Sequence, residues 1–376
     1  LGLTRELAKM AHAYRRSLFA SAVLAAVAAP AAAQARSPLN PPSVFIPFAN
    51  MQQGQTELTA SPQLRVGFNG GSQITFTMDT GSTGIVVSPD NFTPPQGSTP
   101  IGTGTITYTS TGIVLTGNFY ETEVQIGSGT ATATAKVPVL QVLVKTCLEH
   151  ARNCTPATPP TNVAMFGVGF GQEAAGQPDG TPDKNPFLNI FEMNGHRVNP
   201  AAGYVLTAKG VTLGISPKLA RRFRKVPLTW NTTNKDWDRA PLTLKANGWT
   251  GTGTVLMDTG VGSMYLTPPV GDTVPTVANA SATGPCIQYG PCAAQGVVIT
   301  VTIGVTGATP GASYTFKVGP NGIPDTKQKA APDWVTVDTG TTSSAFVNTT
   351  YHFLNRFDYL YDFTFGEVGF RSASAK

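Results

Sequence analysis

The sequence predicts an all-β protein, and three observations carry that expectation. Charged residues make up only 12% of the 376-residue chain, roughly half of the usual share of about 25%. Lys, Glu and Leu are sparse, which disfavours a helical bundle or a coiled coil. Gly (40) and Pro (30) are abundant beside many Thr, and 41% of the chain is apolar. Such a composition builds short strands joined by turns and still supplies a core. The third observation is an internal echo. Gly71–Ser82 and Gly251–Val261 each run as an apolar strand into Asp-Thr-Gly and then into a second apolar strand.

Taken in order, residues 1–33 are expected to be a signal peptide. Arg15-Arg16 form a basic start, Ser17–Ala29 is an apolar run too short to span a bilayer comfortably, and Ala31-Ala32-Ala33 fits a small-residue cleavage site. The Ala-rich run and the short basic region resemble a bacterial signal. Export to the periplasm or medium is therefore the expected location, with no later segment apolar enough to stay in a membrane. Residues 34–60 are Pro- and Gln-rich and read as a leader or a possible propeptide. Alternating apolar positions predict strands across 64–87, with Asn69-Gly70 as a hairpin turn. Further strand patterns lie at 105–126, 135–145, 226–230, 241–246, 252–267, 296–304 and 313–318, and 185–194 is the one short helix expected. Arg221–Lys225 reads as an exposed linker. The expected lobes are 61–218 and 219–376.

Arg5, Lys9, Arg15 and Arg16 outnumber Glu6 in the signal segment, so most of the net charge of +5 belongs to it. The remainder is near neutral and has no electrostatic reason to seek nucleic acid. Four cysteines in an exported chain, Cys147 with Cys154 and Cys286 with Cys292, read as two local disulfides. A zinc site lacks the Cys-x-x-Cys spacing and nearby histidines it would need. There is no His-Glu-x-x-His and no Gly-x-Ser-x-Gly elbow, and Gly167-Val-Gly169-Phe-Gly171 does not open a helix as a nucleotide loop would.

What remains is Asp-Thr-Gly, present three times at Asp79, Asp258 and Asp338. A single copy reads as a turn, with Asp capping its own backbone and Gly supplying φ > 0. Paired copies can do more. Two adjacent carboxyls cannot both ionise, so they share one proton. The ionised one can take a proton from water while the protonated one donates to a carbonyl oxygen.

The ordered segments resemble the pepsin-like aspartic proteases over most of the chain after the signal. Phe76–Thr83 looks like the first active-site loop, Ile106–Gly112 like the flap strand with Tyr108 as its tyrosine, and Met165–Gly169 like the segment threading beneath the first loop. Val211–Gly214 looks like the end of the first lobe, and Val255–Gly260 like the second loop. Phe353-Leu354, Phe357–Asp362 and Gly366–Phe370 resemble the closing strands. The resemblance implies an all-β, bilobal fold with a central cleft and an aspartic endopeptidase acting on extended peptides. It implies Asp79 and Asp258 as the dyad, because Asp338 leaves too little chain after it for a second lobe, while Thr341 after Asp338 keeps Asp338 as the alternative partner. It implies Ser82 orienting Asp79, Thr80 and Thr259 locking the loops, and Gly81 and Gly260 permitting the turns. Tyr108 would close the flap. No cofactor or metal is implied, and a monomer is expected. Three positions depart from the pattern: Val261 stands where a hydroxyl usually orients the second Asp, Thr350 where a Gly is usual, and Val86 where a Trp usually backs the flap. Val261 and Thr350 support a second reading, a catalytically silent relative that holds a peptide or glycan in its cleft.

Overall fold

The computed structural model describes residues 41–149, 151, 154–173, 176–277, 291–325 and 327–373. The expected signal peptide, Cys286 and His150 lie outside them. From the first half come β1 (Val44–Pro47), β2 (Gln63–Phe68), β3 (Ile74–Asp79), β4 (Thr83–Val87), β5 (Gly102–Tyr108), β6 (Ile113–Ser128), β7 (Ala131–Cys147), β8 (Ala164–Val168), β9 (Ile190–Met193), β10 (His196–Arg197), β11 (Gly203–Thr207) and β12 (Gly210–Leu213). The second half supplies β13 (Arg224–Pro227), the small hairpin β14 (Trp230–Asn231) and β15 (Asp236–Trp237), β16 (Ala240–Ala246), β17 (Trp249–Leu256), β18 (Met264–Thr267), β19 (Thr276–Val277), β20 (Cys292–Ala293), β21 (Val298–Ile303), β22 (Ala312–Lys317), β23 (Val335–Val337), β24 (Ala345–Asn348), β25 (Phe357–Asp362) and β26 (Glu367–Ser372).

Two nine-stranded sheets and one six-stranded sheet result. The first runs β10-β9-β7-β4-β8-β3-β2-β6-β5, the second β19-β20-β23-β18-β24-β17-β16-β21-β22. Their central strands repeat one plan. In the first, β3 pairs parallel with β8, β8 antiparallel with β4, and β4 parallel with β7. In the second, β17 pairs parallel with β24, β24 antiparallel with β18, and β18 parallel with β23. The fold is therefore all-β and bilobal, and each Asp turn joins the two strands that flank a threaded third. The six-stranded sheet, β1-β12-β11-β25-β26-β13, takes strands from both halves. Tyr204 on β11 donates to the Val168 carbonyl at 2.6 Å, so this sheet packs under the first Asp turn.

Local chemistry explains the elements. The β2–β3 hairpin turns at Asn69 and Gly70, both at positive φ (50° and 76°), a geometry that Asn-Gly accepts at little cost. Alternation in β2 and β3 buries Leu64, Val66, Phe76 and Met78 in one core with Phe166 and Val168.

Two expectations are corrected. Residues 185–194 do not form a helix. The Asn185 side chain instead donates to the carbonyls of Val168 (2.9 Å) and Gly169 (3.1 Å), and Asn189 binds three other carbonyls. Asn competes with helix in this way, and Ile190–Met193 joins the edge of β7. Arg221–Lys225 is not a plain linker either: Phe223 is buried beneath Arg371, and Arg224 begins an edge strand on β26. Residues 44–58, within the stretch 34–60, contact the rest of the chain. Val44–Pro47 pairs with β12, and buried Leu58 exchanges hydrogen bonds with the Asn355 side chain. No helix among the described residues is long and apolar enough to cross a membrane.

Candidate active site

Asp79 ends β3, and Asp258 lies two residues beyond β17. The two turns interlock at their centres. Thr80 N–H donates to Thr259 Oγ1 at 3.1 Å, and Thr259 N–H donates to Thr80 Oγ1 at 3.0 Å. Each hydroxyl then donates across to the other strand, Thr259 to the Met78 carbonyl at 2.9 Å and Thr80 to the Met257 carbonyl. All four groups are buried, so each bond spares an unsatisfied polar atom.

This lock sets the two carboxyls side by side: a Cβ on Gly260 would meet Asp79 Oδ1 at 2.6 Å and Asp258 Oδ1 at 3.2 Å. Glycine is required on both sides. A Cβ on Gly81 would sit 2.4 Å from the Asp258 carboxyl, and one on Gly260 would sit 2.6 Å from Asp79 Oδ1. Their amides bind the acids of their own turns, Gly81 N–H to Asp79 Oδ1 at 2.6 Å and Gly260 N–H to Asp258 Oδ1 at 2.8 Å.

The outer oxygens are held differently. Ser82 Oγ donates to Asp79 Oδ2 at 2.6 Å. Val261 offers nothing equivalent to Asp258. Instead Asn348, at the end of threaded β24, donates Nδ2–H to Asp258 Oδ2 at 2.7 Å. Asn348 is not among the site residues expected from the sequence. Its signal was the polar run Asn348-Thr349-Thr350 at the end of an apolar strand. Thr349 accepts from the Asp258 N–H at 3.3 Å. Thr350, the departure from Gly, accepts from the His352 N–H and caps a short 3₁₀ turn at Tyr351–Asn355.

Burial raises the pKa of both acids, and Ser82 and Gly81 counter part of that rise at Asp79. Asp258 is pushed further, well above the ordinary carboxylate value, by burial first and then by the charge of Asp79. Asn348 only partly offsets this. The pair therefore titrates as one unit and shares a proton.

Above the acids lies a cleft of about 1080 Å³. Its roof is the β5–β6 hairpin carrying Tyr108, whose hydroxyl is buried toward Ser82 and Asp79 without a well-formed hydrogen bond. Val86 packs with Ile106, Leu115, Phe119, Leu140 and Val142 at the hairpin's base, so an aliphatic cluster backs the flap in place of an indole. From the opposite wall, Tyr265 donates its hydroxyl to the Ser110 carbonyl at 3.3 Å. Gln177 braces the first turn, accepting from Thr83 N–H at 3.2 Å and donating to the Gly81 carbonyl at 3.2 Å. Arg239 lines the Asp258 side. Gln177, Arg239 and Tyr265 are likewise invisible at the level of sequence, since no motif carries them.

Asp338 lies elsewhere. It follows β23, which pairs with β18 rather than joining the strands of an Asp turn, and its N–H donates to the Leu266 carbonyl. It lines the cleft without meeting the pair. Cys147 and Cys154 are bonded to each other at the end of β7, opposite Ile113 at the start of β6. Cys286 is outside the described residues. Among the described residues no group of three or more His, Cys, Asp or Glu is placed to hold a metal ion.

Comparison with known proteins bears on the fold. Residues 49–189 match the PE-PGRS C-terminal aspartyl peptidase-like domain. Basic 7S globulin from soybean superposes with a TM-score of 0.50 at 12% identity, over 89% of this chain and 98% of the globulin. The fold is that of the pepsin-like aspartic proteases. The aspartic proteinase of Irpex lacteus also aligns, with a TM-score of 0.49 at 14% identity over 89% of this chain and 98% of its own. No curated protein matches the chain. In pepsin-like terms the first Asp turn, the flap and the threaded β8 all fall inside the matched segment, and Asp258 and Asn348 fall beyond it.

Proposed function

We propose that the protein is an aspartic endopeptidase whose dyad is Asp79 and Asp258. The observation that carries this reading is the pair of adjacent, buried carboxyls on the floor of a cleft roofed by a tyrosine-bearing hairpin. Ionised Asp79 takes a proton from a water held between the acids as its oxygen attacks the scissile carbonyl carbon. Asp258 gives its proton to the carbonyl oxygen. As the tetrahedral intermediate collapses, Asp258 recovers a proton from one of its hydroxyls. Asp79 passes its own to the leaving nitrogen, the C–N bond breaks, and the dyad again holds one proton. Thr80, Thr259, Gly81 and Gly260 fix the distance, Ser82 and Asn348 aim the acids, and Tyr108 excludes water. The substrate class is an extended peptide. The same reading includes export to the periplasm or medium, removal of residues 1–33, and function as a monomer.

The second reading is a silent cleft that binds a peptide or glycan without cutting it. Val261, which leaves Asp258 without the hydroxyl that Asp79 enjoys, favours it. Cleavage of a quenched-fluorescent peptide library from acid to neutral pH, by the chain from Gln34 onward, separates the two. The parent is expected to cleave, and Asp79→Asn and Asp258→Asn to lose cleavage while Asp338→Asn keeps it. Folded parent protein that binds peptides and cuts none at any pH would establish the silent cleft instead.

A further inference from the structure

Among the described residues Arg239 is a cation with no ion-paired anion. It precedes β16 and lines the cleft beside Asp258, Asn348 and Phe346. Its guanidinium lies over the Phe346 ring, 5.0 Å from the centroid, and Nη2 donates to Gln172 Oε1 at 3.2 Å. Gln172 is itself fully buried, and its amide is tied to the Phe170 carbonyl at 3.1 Å. The Arg239 Nε–H is buried with no acceptor. Among the described residues no carboxylate forms an ion pair with this side chain. Among the described residues the acid whose field it feels is Asp258, which forms no ion pair with it and shares its charge with Asp79.

A guanidinium taken largely out of water, with a donor left over, costs stability unless a partner arrives. Stacking on Phe346 and the bond to Gln172 fix the plane of the fork in advance, so little side-chain entropy is lost when an anion docks. Carboxylates fit that fork in a bidentate manner. The cleft is where a substrate would lie, so the partner can come with the substrate.

Resting on the proposed peptidase reading, we propose that Arg239 makes the cleft select a carboxylate on the bound peptide, on the Asp258 side of the scissile bond. An acidic side chain and a free C-terminus carry the same chemistry, and the test separates them.

Quenched peptides are made in pairs that differ only by Glu or Gln at one scanned position, and in a second series only by a C-terminal acid or amide. At one position the wild-type protein should show a kcat/KM at least about tenfold higher for the carboxylate, mainly through KM, the range of a charge-assisted hydrogen bond. A gain in the Glu series assigns the site to a side chain, and a gain in the C-terminal series to the chain end. Arg239→Met should bring that ratio close to one, and Arg239→Lys should keep part of it. Each ratio is taken within one preparation, so partial misfolding cancels. Wild-type ratios near one at every position in both series overturn the inference, as does a ratio that survives Arg239→Met. A pH profile moved by Arg239→Met with the ratio intact overturns it too, since Arg239 would then act through Asp258 alone. If the parent cleaves no peptide, the endopeptidase reading fails, and the same pairs carrying a non-cleavable statine bond test the carboxylate preference by fluorescence anisotropy.

Discussion

The two Asp turns are alike at the centre and unlike at the edge. Both run strand, Asp-Thr-Gly, strand around a threaded third strand, and the two threonines trade reciprocal hydrogen bonds. At the edge, the first turn carries its own support, with Ser82 three residues after Asp79. The second borrows its support from Asn348, ninety residues further along the chain. The inner bonds set the separation of the carboxyls and must be symmetric. The outer bond only has to place one donor at one oxygen, and any neighbouring strand can provide it. Val261 therefore does not by itself mark a dead site.

The comparison breaks most completely at the acids. Asn at position 79 or 258 should lower kcat/KM by roughly 10³-fold if the pair provides general acid–base catalysis. Asp258→Asn is the more informative change. An amide there can donate to Asp79 as the protonated acid does, so the fold survives while proton transfer stops. Cleavage that persists in Asp258→Asn and disappears in Asp338→Asn would reverse the lobe assignment.

Next comes the symmetric centre. Thr80→Val strands the Thr259 N–H, and Thr259→Val strands the Thr80 N–H, each in a buried site. Each should cost about 2–3 kcal/mol in urea unfolding. The two changes break different bonds and share only the 3.4 Å contact between the hydroxyls, so the double variant should cost close to the sum, any departure measuring the coupling across the centre. Unequal single costs would show that the centre is not the symmetric part.

Much of this was legible in the sequence, and for a physical reason. An Asp-Thr-Gly turn and the strands around it are local, so Asp79, Thr80, Ser82 and Asp258 announce themselves within a dozen residues. Asn69-Gly70 did the same for a hairpin. Contacts that depend on which strand threads where do not. Asn348 reaches Asp258 because β24 lies parallel to β17, a pairing that no local pattern specifies. Arg239 and Tyr265 face the cleft for the same reason. The helix expected at 185–194 failed because apolar spacing there matched a helix while Asn185 and Asn189 had better uses for their amides.

The asymmetric edge is the third test. Asn348→Leu removes the donor at Asp258 Oδ2 and should lower kcat/KM by about tenfold, the value of one hydrogen bond to a carboxyl. The pH dependence has a definite sign. Both acids have raised values when folded, so the folded chain binds their protons more tightly than the unfolded one. Stability is then greatest in acid, falls as pH rises above the ordinary carboxylate range, and levels off above the raised values. Asn348 pulls the Asp258 value down, so Asn348→Leu should extend the falling region to higher pH, and Asp258→Asn should flatten it. Thermal melts across pH measure both. Adding Val261→Ser to Asn348→Leu should restore part of the lost activity, because a hydroxyl would then stand where Ser82 stands in the first turn.

The smallest effect belongs to the flap. Its tip reaches the second lobe through Tyr265, whose Oη–H donates to the Ser110 carbonyl at a long 3.3 Å and is only partly buried. A neutral bond of that kind contributes about 0.5–1.5 kcal/mol. Tyr265→Phe keeps the ring against the cleft and deletes only the donor. The hairpin should then open more often, raising amide exchange across the β5–β6 tip and changing KM a few-fold with kcat nearly unchanged. The first lobe supplies the contrast. Tyr108→Phe removes a hydroxyl that has no well-formed partner, so it should cost almost nothing in stability. Faster exchange in Tyr265→Phe but not in Tyr108→Phe would assign closure of the flap to the second lobe. Equal exchange in both would mean that the aliphatic cluster at Val86, and not the Tyr265 bond, holds the hairpin down.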